Sequence, residues 1–228
     1  MKPSQIFKKV KKDKRKNLFE SEAREVLEYY KIPVAKWRLV KKDAEAVDFS
    51  KKIGFPVALK IASKDVVHKT DVGGVALDLN SEKEVEQAFN QIIKNVKKHK
   101  PKARIDGILV QKMVKGQEVI VGGKKDPQFG QALMFGGGGI LVELLEDISF
   151  KVVPVNKKDA EEMMQETKVY KILKGFRGKK YDVNSVLNIL LKTSKMLEQN
   201  PEISELDINP VIVMKKNAFA VDARIAVD

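Results

Sequence analysis

His68, one of only two histidines in this chain of 228 residues, lies in a polar segment that ends in the glycine pair Gly73-Gly74. Apolar runs typical of strands flank the segment at residues 55–62 and 75–79, so the pattern predicts a strand, a loop and a second strand. Histidines are often structural, but a polar, glycine-rich loop favours an exposed imidazole over one packed in a core. His68 is therefore the first candidate for chemistry.

Two lysines lie close to this histidine, Lys60 near the end of the first strand and Lys69 next to His68. The glycine pair allows backbone N–H groups to turn toward an anion, and the two ammonium groups add positive charge. These features predict phosphate chemistry, in which Lys60 would neutralise the oxygens of a transferring phosphoryl group. The simpler alternative for Lys60 is a lysine at a sheet edge. The second histidine, His99, precedes Pro101 and is typical of a helix C-terminal cap.

Three oxygen-bearing side chains in the last quarter of the sequence indicate a magnesium site. Alternation places Asp207 and Asn209 on one face of a strand predicted over residues 205–214, and Asp222 lies on the next predicted strand, residues 218–226. Acids on adjacent strands have no simple structural explanation where they are buried. Carboxylate and amide oxygens suit Mg²⁺, which takes one or two carboxylates together with nucleotide phosphates.

An apolar segment and an acid between these features could bind the rest of a nucleotide. Backbone groups of Gln111, Met113 and Val114 could read an adenine edge while apolar side chains enclose the ring, although the same pattern fits a buried core. Glu118, which opens the following strand, could accept hydrogen bonds from ribose hydroxyls, and a solvated acid at a strand end is the equal alternative. The glycine run at residues 136–139 allows close backbone approach or a mobile loop, and we assign it no catalytic role.

The composition excludes several classes of function. The chain has no cysteine, which excludes disulfides, thiolate metal sites and a cysteine nucleophile. The formal net charge of +13 would attract polyanions, but lysines are scattered among glutamates, with no aromatic stacking platform and no zinc-finger spacing, so we do not expect nucleic-acid binding. No apolar run is long enough to span a membrane and no apolar signal sequence is present, so we expect a cytoplasmic protein without membrane contact.

The order of predicted elements indicates an α/β fold of two α+β lobes with a ligand cleft between them. We expect a basic N-terminal segment over residues 1–17, which is either a tail or the start of a helix, one lobe over residues 18–110 and a second over residues 111–228. Capping signals predict a helix over residues 18–30 that starts with Asn17 and Glu20, and a second helix after Ser81. The other predicted elements are strands at residues 35–40, 105–114, 118–122, 132–135 and 152–155, and helices at residues 44–52, 157–173 and 183–199.

The combined motifs resemble the ATP-grasp subunit of ADP-forming acetyl-CoA synthetases, which are relatives of the succinyl-CoA synthetase β chain. The resemblance extends from about residue 18 to the C-terminus. Its motifs are Lys60, residues 68–75, Glu118, residues 136–140 and residues 205–210. It implies an ATP-grasp fold and the reaction acyl-CoA + ADP + phosphate ⇌ carboxylate + CoA + ATP.

The resemblance also implies roles for individual residues. In the family, a phosphoryl group passes from an acyl phosphate to a histidine of the CoA-binding α subunit, and a second histidine, matched here by His68, carries it to ADP. Neutral imidazole is a good phosphoryl acceptor at physiological pH.

The family's Mg²⁺ ligands match Asn209 and Asp222, with Asp207 where the succinyl-CoA synthetases have glutamate. Gln111 stands where those relatives commonly have an acid, so triphosphate binding is implied more directly than purine selectivity.

A partner is implied as well, because the sequence contains no glycine-rich dinucleotide motif and no second large domain for CoA. We expect an α subunit that carries the CoA site, the acyl-phosphate site and the first histidine, assembled with this chain as a heterotetramer. Two alternatives stay open. One is a stand-alone ATP-grasp carboxylate ligase, which needs no phosphohistidine, and the other is a non-catalytic basic module that binds nucleotides or nucleic acid.

Overall fold

The computed structural model describes residues 1–66 and 68–228, leaving aside the side chains of Ile140, Glu143 and Arg177. The chain forms two compact units, a smaller one of residues 35–114 and a larger one of residues 1–34 and 115–228. The helices are α1 (Pro3–Lys12), α2 (Glu20–Tyr29), α3 (Asp43–Ile53), α4 (Glu82–His99), α5 (Ile140–Glu143), α6 (Lys157–Gln165), α7 (Lys168–Leu173) and α8 (Val183–Gln199). The strands are β1 (Trp37–Val40), β2 (Val57–Ala62), β3 (Val75–Leu79), β4 (Gly107–Lys112), β5 (Gln117–Asp126), β6 (Gly130–Gly137), β7 (Ile148–Val152), β8 (Ile203–Val213), β9 (Ala218–Ala220) and β10 (Arg224–Val227).

The smaller unit is an antiparallel sheet with strand order β1-β4-β2-β3, covered on one face by α3 and α4. Helix α4 begins at Ser81, whose hydroxyl accepts a hydrogen bond from the Glu84 N–H, as its capping signal predicts. Its apolar residues recur every three or four positions and pack against alternate residues of β2 and β4. The helices therefore cover one face of this sheet, and Lys60 lies on the other face.

The larger unit has a six-stranded antiparallel sheet in the order β10-β8-β5-β6-β7, with the short β9 beside the distal half of β8. Alternate residues of these strands, such as Val121, Leu133 and Leu206, form one core with the helices of this unit. The intervening residues lie on the opposite face. We call this the Asp207 face, because the register Asp207↔Gly122↔Met134 places those three residues on it.

The N-terminal segment differs from its predicted form. Residues 1–17 are not a separate basic segment, because α1 buries Ile6, Phe7 and Val10 in the core of the larger unit. Helix α2 starts at Glu20, and Glu22 rather than Glu20 accepts the first free N–H, that of Phe19, at 2.9 Å. Residues 1–34 consequently pack with residues 115–228, whereas the sequence analysis grouped residues 18–110 together.

Three further elements differ from their predicted bounds. The helix predicted over residues 157–173 is two helices, α6 and α7, and the strand predicted over residues 152–155 lies earlier, at Ile148–Val152, since Pro154 has no N–H to donate to a ladder. The last predicted strand is interrupted at residues 221–223, so Asp222 lies in a loop between β9 and β10. In the described part of the chain, no helix combines the length and apolar character needed to cross a membrane.

Candidate functional site

His68 lies in the connection between β2 and β3 of the smaller unit, and its side chain is exposed. Buried Val66 and Val72 flank the exposed part of this connection and pack in the core of the unit. Val67, which belongs to the segment predicted as a loop, lies outside the described residues. The imidazole is therefore presented to solvent between two apolar anchors, as the sequence analysis expected of a reactive group.

Helix α4 and the residues after it hold both ends of this connection. Asp65 accepts a hydrogen bond on Oδ2 from the Arg104 N–H and one on its carbonyl from Lys100 Nζ, both at 2.7 Å. At the other end, Asn95 Nδ2 donates to the Gly73 carbonyl at 3.1 Å. Gly73 has φ +62°, a conformation that costs little only for glycine. Sequence reasoning missed Asn95 and Asp65, because nothing local relates a residue of α4 to a loop 22 residues earlier.

The register of the smaller sheet places Lys60 and Gln111 on the same face. Lys60 pairs with Leu109 and Ala58 pairs with Gln111, so these four side chains point away from α3 and α4. Lys60 is half-buried, whereas Gln111 is only 1% exposed. The structure thus brings together a cation and an amide that are 51 positions apart in the sequence.

The segment after β4, predicted to bind a purine through its backbone, uses some of its hydrogen-bonding groups within the protein. The Met113 N–H donates to the Pro56 carbonyl at 3.1 Å, and Met113 Sδ accepts a hydrogen bond from the Asp78 N–H at 3.0 Å. This backbone donor is therefore not available to a purine edge in this structure. Met113 and Val114 are half-buried, which suits apolar contact with a planar ring.

In the larger unit, Glu118 and Asp207 lie on the same face of the sheet. Glu118 is four residues before Gly122 on β5, so alternation puts its exposed side chain on the Asp207 face, about 13 Å along the strand from Gly122. Asn209 follows Asp207 by two residues and is exposed. The register of β8 against β5 shifts at this point, so that Asn209 and Pro210 together oppose Ile120.

Asp207 and Asp222 are close enough for their charges to interact. Burial raises the pKa of the Asp207 carboxyl, Arg224 opposes this shift, and the negative charges of Asp222 and Glu205 add to it. The half-buried Asp222 accepts the Ala223 N–H on Oδ1 at 2.8 Å. Two partly buried carboxylates that repel each other, with an exposed amide oxygen nearby, form a donor set that a divalent cation fits.

A buried arginine anchors the loop that carries Asp222. The Arg24 side chain in α2 is 1% exposed, pairs with Glu20 at 2.8 Å and donates to the Val221 carbonyl. The preceding segment also joins the sheet, since the Leu18 N–H donates to the Ile225 carbonyl at 2.9 Å. Residues 1–34 therefore position the loop of Asp222, a candidate metal ligand almost 200 positions away, a role that no sequence pattern indicated.

The glycine run has a packing role at the end of β6. The Gly138 N–H donates to the Glu118 carbonyl at 3.1 Å, and a Cβ at Gly138 would meet Glu118 Cβ at 2.7 Å. A Cβ at Gly136 would meet the Asp147 carbonyl at 2.5 Å. The run is thus neither a hairpin nor simply a loop, because two of its glycines allow β5, β6 and the start of β7 to approach closely.

Among the described residues, no three His, Cys, Asp or Glu side chains cluster closely enough to hold a metal by themselves. A Mg²⁺ ion held by two carboxylates, an amide and phosphate oxygens needs no third carboxylate. A cavity of about 610 Å³ lies between α6, α7 and the start of α8, and it contains none of the predicted site residues.

The fold and these two sets of residues match a known class. The profile of the ATP-grasp domain matches residues 9–227, nearly the whole chain. The chain therefore belongs to the ATP-grasp family.

Individual relatives indicate a subgroup within the ATP-grasp family. The chain is 44% identical to subunit beta of acetate–CoA ligase [ADP-forming] I from Pyrococcus furiosus, over 98% of this chain and 97% of that one. It is 47% identical to the 4-hydroxybutyrate–CoA ligase [ADP-forming] of Nitrosopumilus maritimus, over 94% of this chain but only 31% of that longer protein. Within the ATP-grasp family it thus groups with the β subunits of ADP-forming acetate–CoA ligases.

A solved structure agrees with this grouping. The dinucleotide forming acetyl-coenzyme A synthetase 1 of Ca. Korarchaeum cryptofilum, in complex with coenzyme A and Mg-AMPPCP, superimposes with a TM-score of 0.88 and 43% identity, covering 99% of this chain and 100% of that one. In that structure a phosphohistidine segment points towards the nucleotide binding site. The predicted ATP-grasp fold is confirmed.

Proposed function

We propose that this chain is the nucleotide-binding subunit of an ADP-forming acyl-CoA synthetase, which converts acyl-CoA, ADP and phosphate into a carboxylate, CoA and ATP. The observation that carries the proposal is an exposed histidine on an anchored connection, in a chain 44% identical to a β subunit of this enzyme class over 98% of its length. The 4-hydroxybutyrate–CoA ligase [ADP-forming] is a longer chain, of which this chain spans 31%, which supports the need for further parts outside this chain.

His68 is the phosphoryl carrier in this proposal. An imidazole nitrogen takes the phosphoryl group from the partner's phosphohistidine as the donor N–P bond breaks, and then passes it to the terminal phosphate of ADP. The exposure of His68 and its polar neighbours supports access for both the phosphoryl donor and the phosphoryl acceptor.

In this proposal, side chains from the sheets of both units bind the nucleotide and its metal ion. Asp207, Asn209 and Asp222 would hold Mg²⁺, which neutralises charge on the phosphate oxygens during transfer. Lys60 and Lys69 place further positive charge in the smaller unit. Gln111, Met113 and Val114 would contact the base, and Glu118 would accept hydrogen bonds from the ribose.

We also propose the assembly of this chain with a CoA-binding α subunit as a heterotetramer with two copies of each. The support is that several relatives are beta subunits of ligases, whereas others contain the matching region as about a third of one polypeptide. The mass of the purified complex, measured by light scattering during gel filtration, tests the stoichiometry.

The two histidines of the chain provide a matched test of the carrier role. The chain and its α subunit are incubated with γ-labelled ATP and Mg²⁺, and acid-labile, base-stable label is mapped on the wild type, His68→Asn and His99→Asn. We expect label on His68 in the wild type and in His99→Asn, because His99 lies in the last turn of α4 with Nδ1 against the Asn95 carbonyl at 2.9 Å. Full ligase activity of His68→Asn would exclude the relay and favour a direct ligase.

A further inference from the structure

The sheet edge formed by β7 has an unusual exposed surface. Among the described residues, ten large apolar side chains are exposed, and five of them lie within nine positions. We call these five residues the β7 patch: Leu144, Leu145, Ile148, Phe150 and Val152. Phe150 is 54% exposed and Leu144 is 74% exposed. Exposed apolar side chains are common singly, but five within nine positions, three on the edge strand β7 and two in the turn before it, indicate an interaction surface.

The patch is held in place before any partner binds. Asp147, just before β7, accepts the N–H groups of Lys168 at 2.5 Å and Val169 at 2.8 Å, which lie in the first turn of α7. Ser149, on the core side of the strand, donates to Glu166. Alternation then directs Ile148, Phe150 and Val152 to the other side of β7. A surface with fixed backbone and fixed inner contacts loses little conformational freedom on binding.

The patch is continuous with the Asp207 face. The register Asp207↔Gly122↔Met134↔Phe150 forms one row across four strands, so Phe150 lies about 14 Å from Asp207 on the same side of the sheet. A molecule seated on the β7 patch is therefore next to the residues proposed to hold the metal and the nucleotide.

The charge pattern indicates what kind of molecule this is. The chain has 44 lysines and arginines, yet residues 126–150 contain none and include four acids. This is the longest stretch of the sequence without a basic residue. Lysine depletion with exposed aromatic and aliphatic side chains is typical of protein–protein interfaces, whereas polyanions and anionic lipid surfaces require basic residues.

We propose that the β7 patch is the docking surface for the CoA-binding α subunit, whose complementary surface is apolar with a basic rim. This inference rests on the proposed function, which requires a partner that delivers a phosphoryl group to this chain. The occupant is a protein surface that packs against Phe150 and its neighbours and extends toward the Asp207 face.

The test compares two exposed aromatic residues of the larger unit, Phe150 and Tyr29, which are 54% and 51% exposed. The wild-type chain, Phe150→Ser, Val152→Ser and the control Tyr29→Ser are titrated with the α subunit that pairs with the Pyrococcus furiosus β subunit. We expect the dissociation constant to rise at least tenfold for Phe150→Ser and to stay within twofold for Tyr29→Ser, since aromatic residues near the centre of an interface dominate binding. Val152→Ser should weaken binding in the same direction.

Two further measurements separate the possible failures. Binding of Mg-AMPPCP to each chain alone, measured by calorimetry, tests the nucleotide site without the partner, and its absence in the wild type would refute the proposed function itself. Normal Mg-AMPPCP binding combined with equal α-subunit affinity for Phe150→Ser and the wild type would overturn the docking proposal alone. A homodimer in sedimentation that Phe150→Ser dissociates would also overturn the docking proposal alone, since the patch would then serve a second copy. Failure of the wild type to bind the α subunit would contradict both the docking proposal and the proposed assembly.

Discussion

At the scale of single residues, the proposed role of Asp207 as a metal ligand would link stability to metal binding. Because burial and the charges of Asp222 and Glu205 raise its pKa against the opposing effect of Arg224, the folded chain binds this proton more tightly than the unfolded chain does. Stability contributed by the protonated carboxyl is therefore present at low pH and is lost as pH rises through the raised pKa. At neutral pH the ionised Asp207 destabilises the metal-free protein.

We therefore predict opposite effects of Asp207→Asn on stability and on binding. The melting temperature of the metal-free chain should rise at about pH 7, and this gain should vanish as the pH falls below the ordinary aspartate pKa of about 4. The dissociation constant for Mg-AMPPCP should increase at least about tenfold, or ~1.4 kcal/mol. Thermal unfolding with and without Mg-AMPPCP measures both effects.

The neighbouring Glu205 provides a control, because it raises the pKa of Asp207 without being a proposed ligand. Glu205→Gln should lower that pKa and leave Mg-AMPPCP affinity within about twofold at neutral pH. A lower melting temperature for metal-free Asp207→Asn at neutral pH would show that the carboxylate is stabilised by contacts other than those described above.

At the scale of elements, helix α2 supports the loop between β9 and β10 through one buried ion pair. Arg24→Met would remove the ion pair with the Glu20 carboxylate, which is 8% exposed, and the hydrogen bond to the Val221 carbonyl. We predict a loss of about 3–5 kcal/mol in the free energy of unfolding, measured by urea titration. The double variant Glu20→Gln/Arg24→Met should recover much of this stability, because no buried charge remains.

The affinity for Mg-AMPPCP distinguishes whether Arg24 positions Asp222 or only stabilises the fold. The double variant still lacks the donor to Val221, which precedes Asp222, so its Mg-AMPPCP affinity should stay several-fold weaker than that of the wild type even where stability recovers. Equal affinity of the double variant and the wild type would mean that the β9–β10 loop holds Asp222 in place without Arg24.

The connection that carries His68 depends in the same way on α4. Gln91 donates to Asn95 Oδ1 at 2.6 Å, which orients the amide so that Nδ2 donates to the Gly73 carbonyl. Asn95→Ala removes this bond, which contributes about 1 kcal/mol, so amide exchange over residues 68–74 should accelerate by about fivefold. Asn90→Ala, on the same helix, should not change it. Unchanged exchange in Asn95→Ala would show that the buried Val66 and Val72 alone hold the connection.

Local pattern explains which of these features could be predicted from the sequence. The apolar run at residues 55–62 and the cap at Ser81 depend on neighbours within a few positions. The strand predicted from the run is present as β2 (Val57–Ala62), and the cap is confirmed. The contact between Arg24 and Val221 joins residues 197 positions apart, and no local spacing encodes it. Helix α1 has the apolar spacing of an amphipathic helix at Ile6, Phe7 and Val10, but its many lysines fit a solvated basic tail equally well.

At the scale of the whole molecule, the larger unit is assembled from two separate stretches of chain, so α1 should decide whether it folds. Deletion of residues 2–13 removes Ile6, Phe7 and Val10, each at most 2% exposed. At roughly 1.5–3 kcal/mol for each buried side chain, the loss is of the order of the whole stability of a domain, about 5–15 kcal/mol. The smaller unit has its own core and should not need these residues.

The aromatic residues allow the two units to be followed separately. Trp37, the single tryptophan, lies in the smaller unit, whereas all four tyrosines lie in the larger one. In the deletion variant we expect the tyrosine near-ultraviolet dichroism to be lost while the unfolding transition of Trp37 fluorescence remains. The variant Lys8→Ser/Lys11→Ser/Lys12→Ser, which removes exposed charge and no core atoms, should keep both signals. A deletion variant that kept the tyrosine signal would show that the larger unit does not need the apolar face of α1. Loss of the tyrosine signal in the charge variant would show that the exposed lysines of α1 contribute to folding, which this prediction does not allow.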